Sequence, residues 1–234
     1  MSDKRLGVKD RSIDQLKVYE RIVAWSNDPF ADSLLTVGGY AGTGKTSVLG
    51  VFASLTNLQV AYVTYTGRAS SILSRKLAAS GAVVDDKVFT DNEKVLSGKF
   101  GHLFSTDPNA SYCGTIHRLL YRPIINTRDE LLGWTTREKL DRSYDLLVID
   151  EASMVGDSLL EDLKKHGVRI LAVGDHGQLP PVADTGSLMQ NPDCRLEKIH
   201  RQAQGNPIIQ LAHRVRSEGF LDRSLVDLNG GKHI

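Results

Sequence analysis

The stretch Gly39-Tyr40-Ala41-Gly42-Thr43-Gly44-Lys45-Thr46 decides the fold. It is a complete G-x-x-x-x-G-K-[ST] pattern, and its spacing encodes phosphate chemistry. The glycines let the backbone turn tightly, so that successive N–H groups converge on phosphate oxygens. A helix opening at the end of the loop adds the positive end of its dipole. Lys45 can reach β- and γ-phosphates as a point charge, and the Thr46 hydroxyl suits Mg²⁺. Gly39, Ala41, Gly42, Thr43, Gly44, Lys45, Thr46 and Ser47 are therefore the expected nucleotide-binding set. The flanks agree: residues 33–37 read as a buried strand and residues 47–53 as an amphipathic helix.

Working outward, residues 59–65, 145–150 and 168–173 read as further buried strands. Helical patterns over 12–26, 69–79 and 158–166 alternate with them, the first opened by Ser12 and Gln15 as a capping box. This alternation implies right-handed crossovers and a parallel sheet covered on both faces. The expected fold is α/β of the RecA-like P-loop NTPase type, with ligands beyond the carboxyl ends of the strands. Residues 80–112 break the rhythm, with Gly81, Gly98, Gly101 and Pro108 interrupting short mixed segments, and are expected to be an insertion or mobile excursion. Thr115–Tyr121 reads as a short helix capped by Thr115; residues 122–144 are polar without a clean period.

The net charge of +1 announces no polyanion partner, so any nucleic-acid contact must come from a local groove. Cys113 and Cys194 are isolated and match no metal spacing, which favours free thiols in a reducing cytoplasm. The sequence carries neither a signal peptide nor an uncharged stretch of spanning length, so no membrane role is expected.

Two further elements complete a nucleotide site. Asp150-Glu151 follows four apolar residues, so a strand delivers an acid that can bind Mg²⁺ with Thr46, then an acid that can orient the attacking water. Gly174-Asp175-His176-Gly177-Gln178-Leu179-Pro180-Pro181 closes the next strand. The Gln178 amide is both donor and acceptor and can sense a γ-phosphate; a strand-to-turn connection without chemistry is the other reading.

Together these residues resemble the superfamily 1 helicases of the RecD-like, 5′-to-3′ class, also described as the AAA_30-type ATPase domain. The loop at 38–47 is similar to motif I, Thr64–Ala69 to motif Ia and Thr115–Leu120 to motif Ib. Residues 150–155 are similar to motif II, 174–182 to motif III and Leu196–Gln202 to motif IV. The resemblance spans roughly residues 10–218. It implies an ATP-driven motor on single-stranded DNA, in a bacterial or phage-type replication or repair setting. It implies strand contacts from Thr66, Arg68, Thr115 and His117, residue types that bind phosphates; Thr115 as a plain cap and His117 as a structural histidine remain open. Gln15 would correspond to an adenine-reading glutamine, the capping-box role being its alternative. Arg201 would reach the γ-phosphate from the second motor domain. Residues 122–144 would hold a duplex-splitting pin, with Trp134 as the candidate stacking tip.

The resemblance also sets the expected domains: a first RecA-like unit over 1–192 and the start of a truncated second unit over 193–234. Motifs V and VI are not matched, which implies a missing C-terminal motor domain or a partner subunit. The leading reading is a helicase motor. The alternative is a nucleotide-gated DNA-binding or assembly module without autonomous turnover, and a small-molecule kinase is a weaker third.

Overall fold

A computed structural model describes residues 11–89, 97, 101, 104–126, 131–179, 186 and 188–198. Seven parallel strands form its sheet, in the order β11-β1-β10-β9-β2-β6-β3. They are β1 (Leu34–Gly39), β2 (Val60–Thr64), β3 (Val84–Asp85), β6 (Ser111–Thr115), β9 (Leu146–Asp150), β10 (Arg169–Gly174) and β11 (Cys194–Leu196). Helices α1 (Ile13–Asn27), α2 (Lys45–Leu55), α3 (Gly67–Ala79), α4 (Ile116–Leu120) and α5 (Asp157–Lys164) connect them.

Period-two alternation divides the core between the two faces of the sheet. Leu35 and Val37, Tyr62, Val148, and Leu171 and Val173 face α1, α2 and α3, where Ile22, Trp25, Leu49, Phe52 and Leu77 pack. Their immediate neighbours Ala61 and Val63, Leu147 and Ile149, and Ile170 and Ala172 face α4 and α5, with Leu119, Leu160 and Leu163. Strands buried on both faces read as apolar runs, which is how β2, β9 and β10 appear in the sequence, while in β1 the buried Thr36 interrupts the run.

Residues 80–112 are only partly an excursion. Their end forms β6, which hydrogen-bonds to β2 from Ala61↔Tyr112 to Thr64↔Thr115. The sequence reading missed it because Ser111, Gly114 and Thr115 dilute the apolar run; in the structure Gly114 leaves room for the folded-back Tyr112 ring. The rest includes a two-stranded pairing of β4 (Val88–Phe89) with β5 (Phe104–Ser105). It is clasped from the segment before β9. The Asp141 carboxylate accepts the Phe89 N–H at 2.7 Å, and the Arg142 guanidinium donates to the Pro108 and Ala110 carbonyls at 3.0 and 3.1 Å. Arg142 also lies 4.2 Å from the centroid of the Phe89 ring, a cation–π contact.

The described residues of 122–144 are also more regular than their composition predicts. β7 (Tyr121–Ile125) and β8 (Leu131–Thr136) form an antiparallel ribbon. Trp134 lies opposite Pro123, within the strand pair, so it is not the tip that the sequence reading expected. The ribbon grows straight out of α4, Leu120 being followed at once by Tyr121, and the Arg137 N–H closes its base on the Leu120 carbonyl at 2.7 Å.

The expected boundary after residue 192 needs moving. β11 pairs with β1 from Val37↔Cys194 to Gly39↔Leu196 and so belongs to the first sheet. Three residues are too short a run to be read as a strand. Asp193 locks it in place: its carboxylate accepts the Thr36 N–H at 2.8 Å and the Thr36 hydroxyl at 2.7 Å. No helix among the described residues is long and apolar enough to cross a membrane.

Candidate functional site

The phosphate loop runs from the carboxyl end of β1 into α2. Gly42 and Gly44 take φ values of 84° and 86°, left-handed conformations that disfavour a side chain. Gly39 is needed for another reason: a Cβ there would lie 2.6 Å from the Thr43 hydroxyl and 3.0 Å from the Leu196 side chain. Thr43 is fully buried and donates its hydroxyl to the Tyr40 carbonyl at 2.9 Å, tying the loop across itself. The Lys45 ammonium donates to the Gly39 and Tyr40 carbonyls at 2.6 and 3.2 Å, which holds it within the loop. Ala41 lies on the exposed rim, and Thr46 and Ser47 occupy the first turn of α2.

Gln15 is buried under this loop. Its amide nitrogen donates to the Thr43 carbonyl at 3.0 Å and its oxygen accepts the Ser12 N–H at 3.3 Å. The capping-box role is thus seen directly, and the same side chain ties α1 to the phosphate loop, a link with no signal in sequence spacing. Beside it Arg11, Leu16, Tyr19, Val48 and Val51 line a shallow crevice.

β10 lies beside β1 and β9 beside β10, so three strands deliver their ends to one place. Asp150, at the end of β9, is buried. Burial, then the negative charge of Glu151, push its carboxyl up to about 6; the Glu151 N–H and the charges of Lys45 and Lys76 work the other way. Glu151 is the one non-glycine residue with positive φ, 58°, among those described. This conformation costs about 1 kcal/mol or more. Its N–H donates to the Asp150 carboxylate at 3.1 Å, which helps to hold the turn.

Gln178 ends the turn after β10. Asp175, buried, accepts the Gly177 N–H at 2.9 Å and shapes that turn. The Gln178 side-chain oxygen accepts the hydroxyl proton of Ser153 at 2.8 Å, so the two acid-bearing and amide-bearing turns are joined directly. Ser153 was not singled out from the sequence; its position two residues past Glu151 was the available signal. On the other side, the His176 ring lies 4.4 Å from that of Tyr40 in the phosphate loop. One short turn thereby touches both other parts of the site.

The remaining site residues gather farther along the same edge. Thr66 caps α3 by accepting the Ala69 N–H at 3.2 Å, and Thr115 caps α4 by accepting the Arg118 N–H at 3.3 Å. Arg68 and His117 are exposed beside them, at the ends of the neighbouring strands β2 and β6. Arg201 lies outside the described residues, as do Pro180, Pro181 and all of the chain after Lys198.

The loop, the paired acids and the amide turn meet at neighbouring strand ends, and the model of one family, AAA_30 (AAA domain), matches residues 14–228. The chain belongs to this family. Over 108 residues, 42% of its length, it is 44% identical to the ATP-dependent RecD2 DNA helicase of Deinococcus radiodurans, 14% of which is covered. Its fold is similar to that of Pif1 from Bacteroides bound to ssDNA, with a TM-score of 0.52 and 20% identity over 93% of this chain and 48% of that one. It is also similar to Pif1 helicase from Bacteroides with ADP-AlF3 and ssDNA, with a TM-score of 0.53, 19% identity and coverage of 93% and 49%. The RecA-like P-loop fold is thereby established, and nucleotide binding comes with the family. The chain spans about half of each of these solved chains and a much smaller part of the curated relative.

Proposed function

We propose that this chain is the first motor domain of an ATP-dependent DNA helicase, which couples hydrolysis of Mg-ATP to movement along single-stranded DNA. The observation that carries this reading is the convergence of the phosphate loop, Asp150-Glu151 and Gln178 at the ends of three adjacent parallel strands. The N–H groups from Gly39 to Ser47 and the Lys45 ammonium hold the phosphates. Glu151 orients and polarises the attacking water, and Gln178 reports the γ-phosphate to Ser153. Arg201 stabilises charge on the transferring phosphoryl group, from a second motor domain or a partner subunit. In this reading Gln15 reads the adenine edge once its amide leaves the Thr43 carbonyl, to which it now donates.

The residues fit Mg²⁺. Asp150 is a buried carboxyl destabilised by burial and by Glu151, and a hard dication would offset both. Asp150 and the Thr46 hydroxyl would hold it, and it would supply charge neutralisation between the phosphates. Thr66, Arg68, Thr115 and His117 contact the strand, and a cytoplasmic setting suits this work. The first unit then ends after β11, with the second beginning in the residues that follow.

Steady-state ATP hydrolysis with and without single-stranded DNA tests the reading. We expect turnover that rises with DNA, is abolished in Lys45→Ala, and is lost in Glu151→Gln while ATP binding persists. Normal turnover by Glu151→Gln would remove that residue from its role. ATP-dependent DNA binding with no turnover in the unmutated chain would favour the nucleotide-gated module.

A further inference from the structure

Along the strand-contact edge lies a row of rings, of which the proposed roles use only His117. The exposed His117 ring meets Tyr65 edge-on, with centroids 5.6 Å apart, and stacks on Tyr121 at 5.8 Å with planes 23° apart. Tyr65 directly follows β2, His117 lies in α4 and Tyr121 opens β7, so three neighbouring segments bring one ring each to this place. Tyr65 is 40% exposed although it directly follows a strand whose five residues are all buried. The register of the ribbon continues the row. Tyr121 pairs with Thr136 and Pro123 with Trp134, so Trp134 shares the ribbon face of Tyr121, and it is 61% exposed.

We propose that Tyr65, His117 and Tyr121 form a base-stacking row for single-stranded DNA, which Trp134 extends along the ribbon. The proposal rests on the DNA-motor reading and names the part of the strand that this edge grips. Aromatic faces hold bases irrespective of sequence, because every base has a π-face. The charge around the row is complementary: the Arg68 and Arg118 side chains are exposed beside Tyr65 and His117, where phosphates would run. Asp162, which accepts the Tyr121 hydroxyl proton at 3.3 Å, is the acid facing this row, and Lys165 pairs with it at 2.7 Å. A strand held by its bases leaves its backbone for the arginines and the capped turns, so the two sets of contacts divide one ligand between them.

The test compares binding of the full chain to a fluorescein-labelled oligodeoxythymidylate and to an abasic strand of the same length. The unmutated chain should bind the thymine strand at least about 100-fold more tightly, since several rings contribute. Tyr65→Ala should lose about 10-fold on the thymine strand, nothing on the abasic strand, and keep the same salt slope. Tyr65→Phe and Tyr121→Phe, which keep their rings, should bind as the unmutated chain does. Equal affinity of the unmutated chain for both strands, or an equal loss by Tyr65→Ala on both, overturns the row and leaves the motor reading standing. No binding to either strand overturns both. Photo-crosslinking of the unmutated chain to a 5-iodouracil strand needs no variant: adducts on Tyr65, His117 or Tyr121 support the row, and adducts confined to other residues reject it.

Discussion

Asp150 shows at the scale of one residue how a site costs stability. Its ordinary carboxyl value is 3.8, and in the fold it rises to about 6. The folded chain therefore binds the proton more tightly than the unfolded chain does. That preference stabilises the fold fully below about pH 4 and is lost as pH rises through 6. Asp150→Asn removes the penalty of holding a buried negative charge. Without divalent cations, we expect the variant to be more stable than the parent at pH 7.5, by up to about 3 kcal/mol, and the two to converge near pH 4. Urea denaturation at both pH values checks this; equal stability at pH 7.5 would mean that Lys45 and Lys76 already neutralise the carboxylate. The strained φ of Glu151 belongs to the same economy, since both acids are held in arrangements that favour a ligand over the empty fold.

The elements of the site were legible wherever one physical cause dominated. The phosphate loop was read in full because backbone geometry leaves few alternatives to glycine at Gly42 and Gly44. The Thr115 cap was read because a hydroxyl before an apolar helical run satisfies a free N–H, and Thr115 does cap its helix; Thr66, read only as a strand contact, proves to be a cap as well. Thr66→Ala should cost about 1 kcal/mol in chemical denaturation and Thr66→Ser much less. A loss of DNA affinity in Thr66→Ala beyond what unfolding explains would give that hydroxyl its second role. What stayed hidden depended on partners distant in sequence. β6 is a strand because β2 lies beside it, and β11 because β1 does. Gln15 holds the Thr43 carbonyl 28 residues away, a link that no periodicity can encode. Ser153 and Gln178 meet only because two turns end neighbouring strands.

Across the whole molecule, chemistry is spread along a single sheet edge, and the sheet order sets its sequence. The proposed nucleotide parts end β1, β10 and β9, and the proposed strand-contact parts end β2 and β6, with no intervening strand between β9 and β2. At the far side, Asp193 pins β11 against β1, and Leu196 then abuts the start of the phosphate loop. Asp193→Ala should lower stability by about 2 kcal/mol, the usual cost of losing hydrogen bonds to a charged group. It should also weaken ATP binding, read by fluorescence titration; unchanged ATP affinity would mean that the loop holds its shape without β11. The ribbon has a mechanical consequence. With no residue between α4 and β7, and with Arg137 closing its base on Leu120, the ribbon is built as a cantilever without a hinge. A load on its free end becomes torque on α4, and His117 turns with that helix. In the proposed motor, a part that meets a fork and a part that grips a strand would therefore act as one lever.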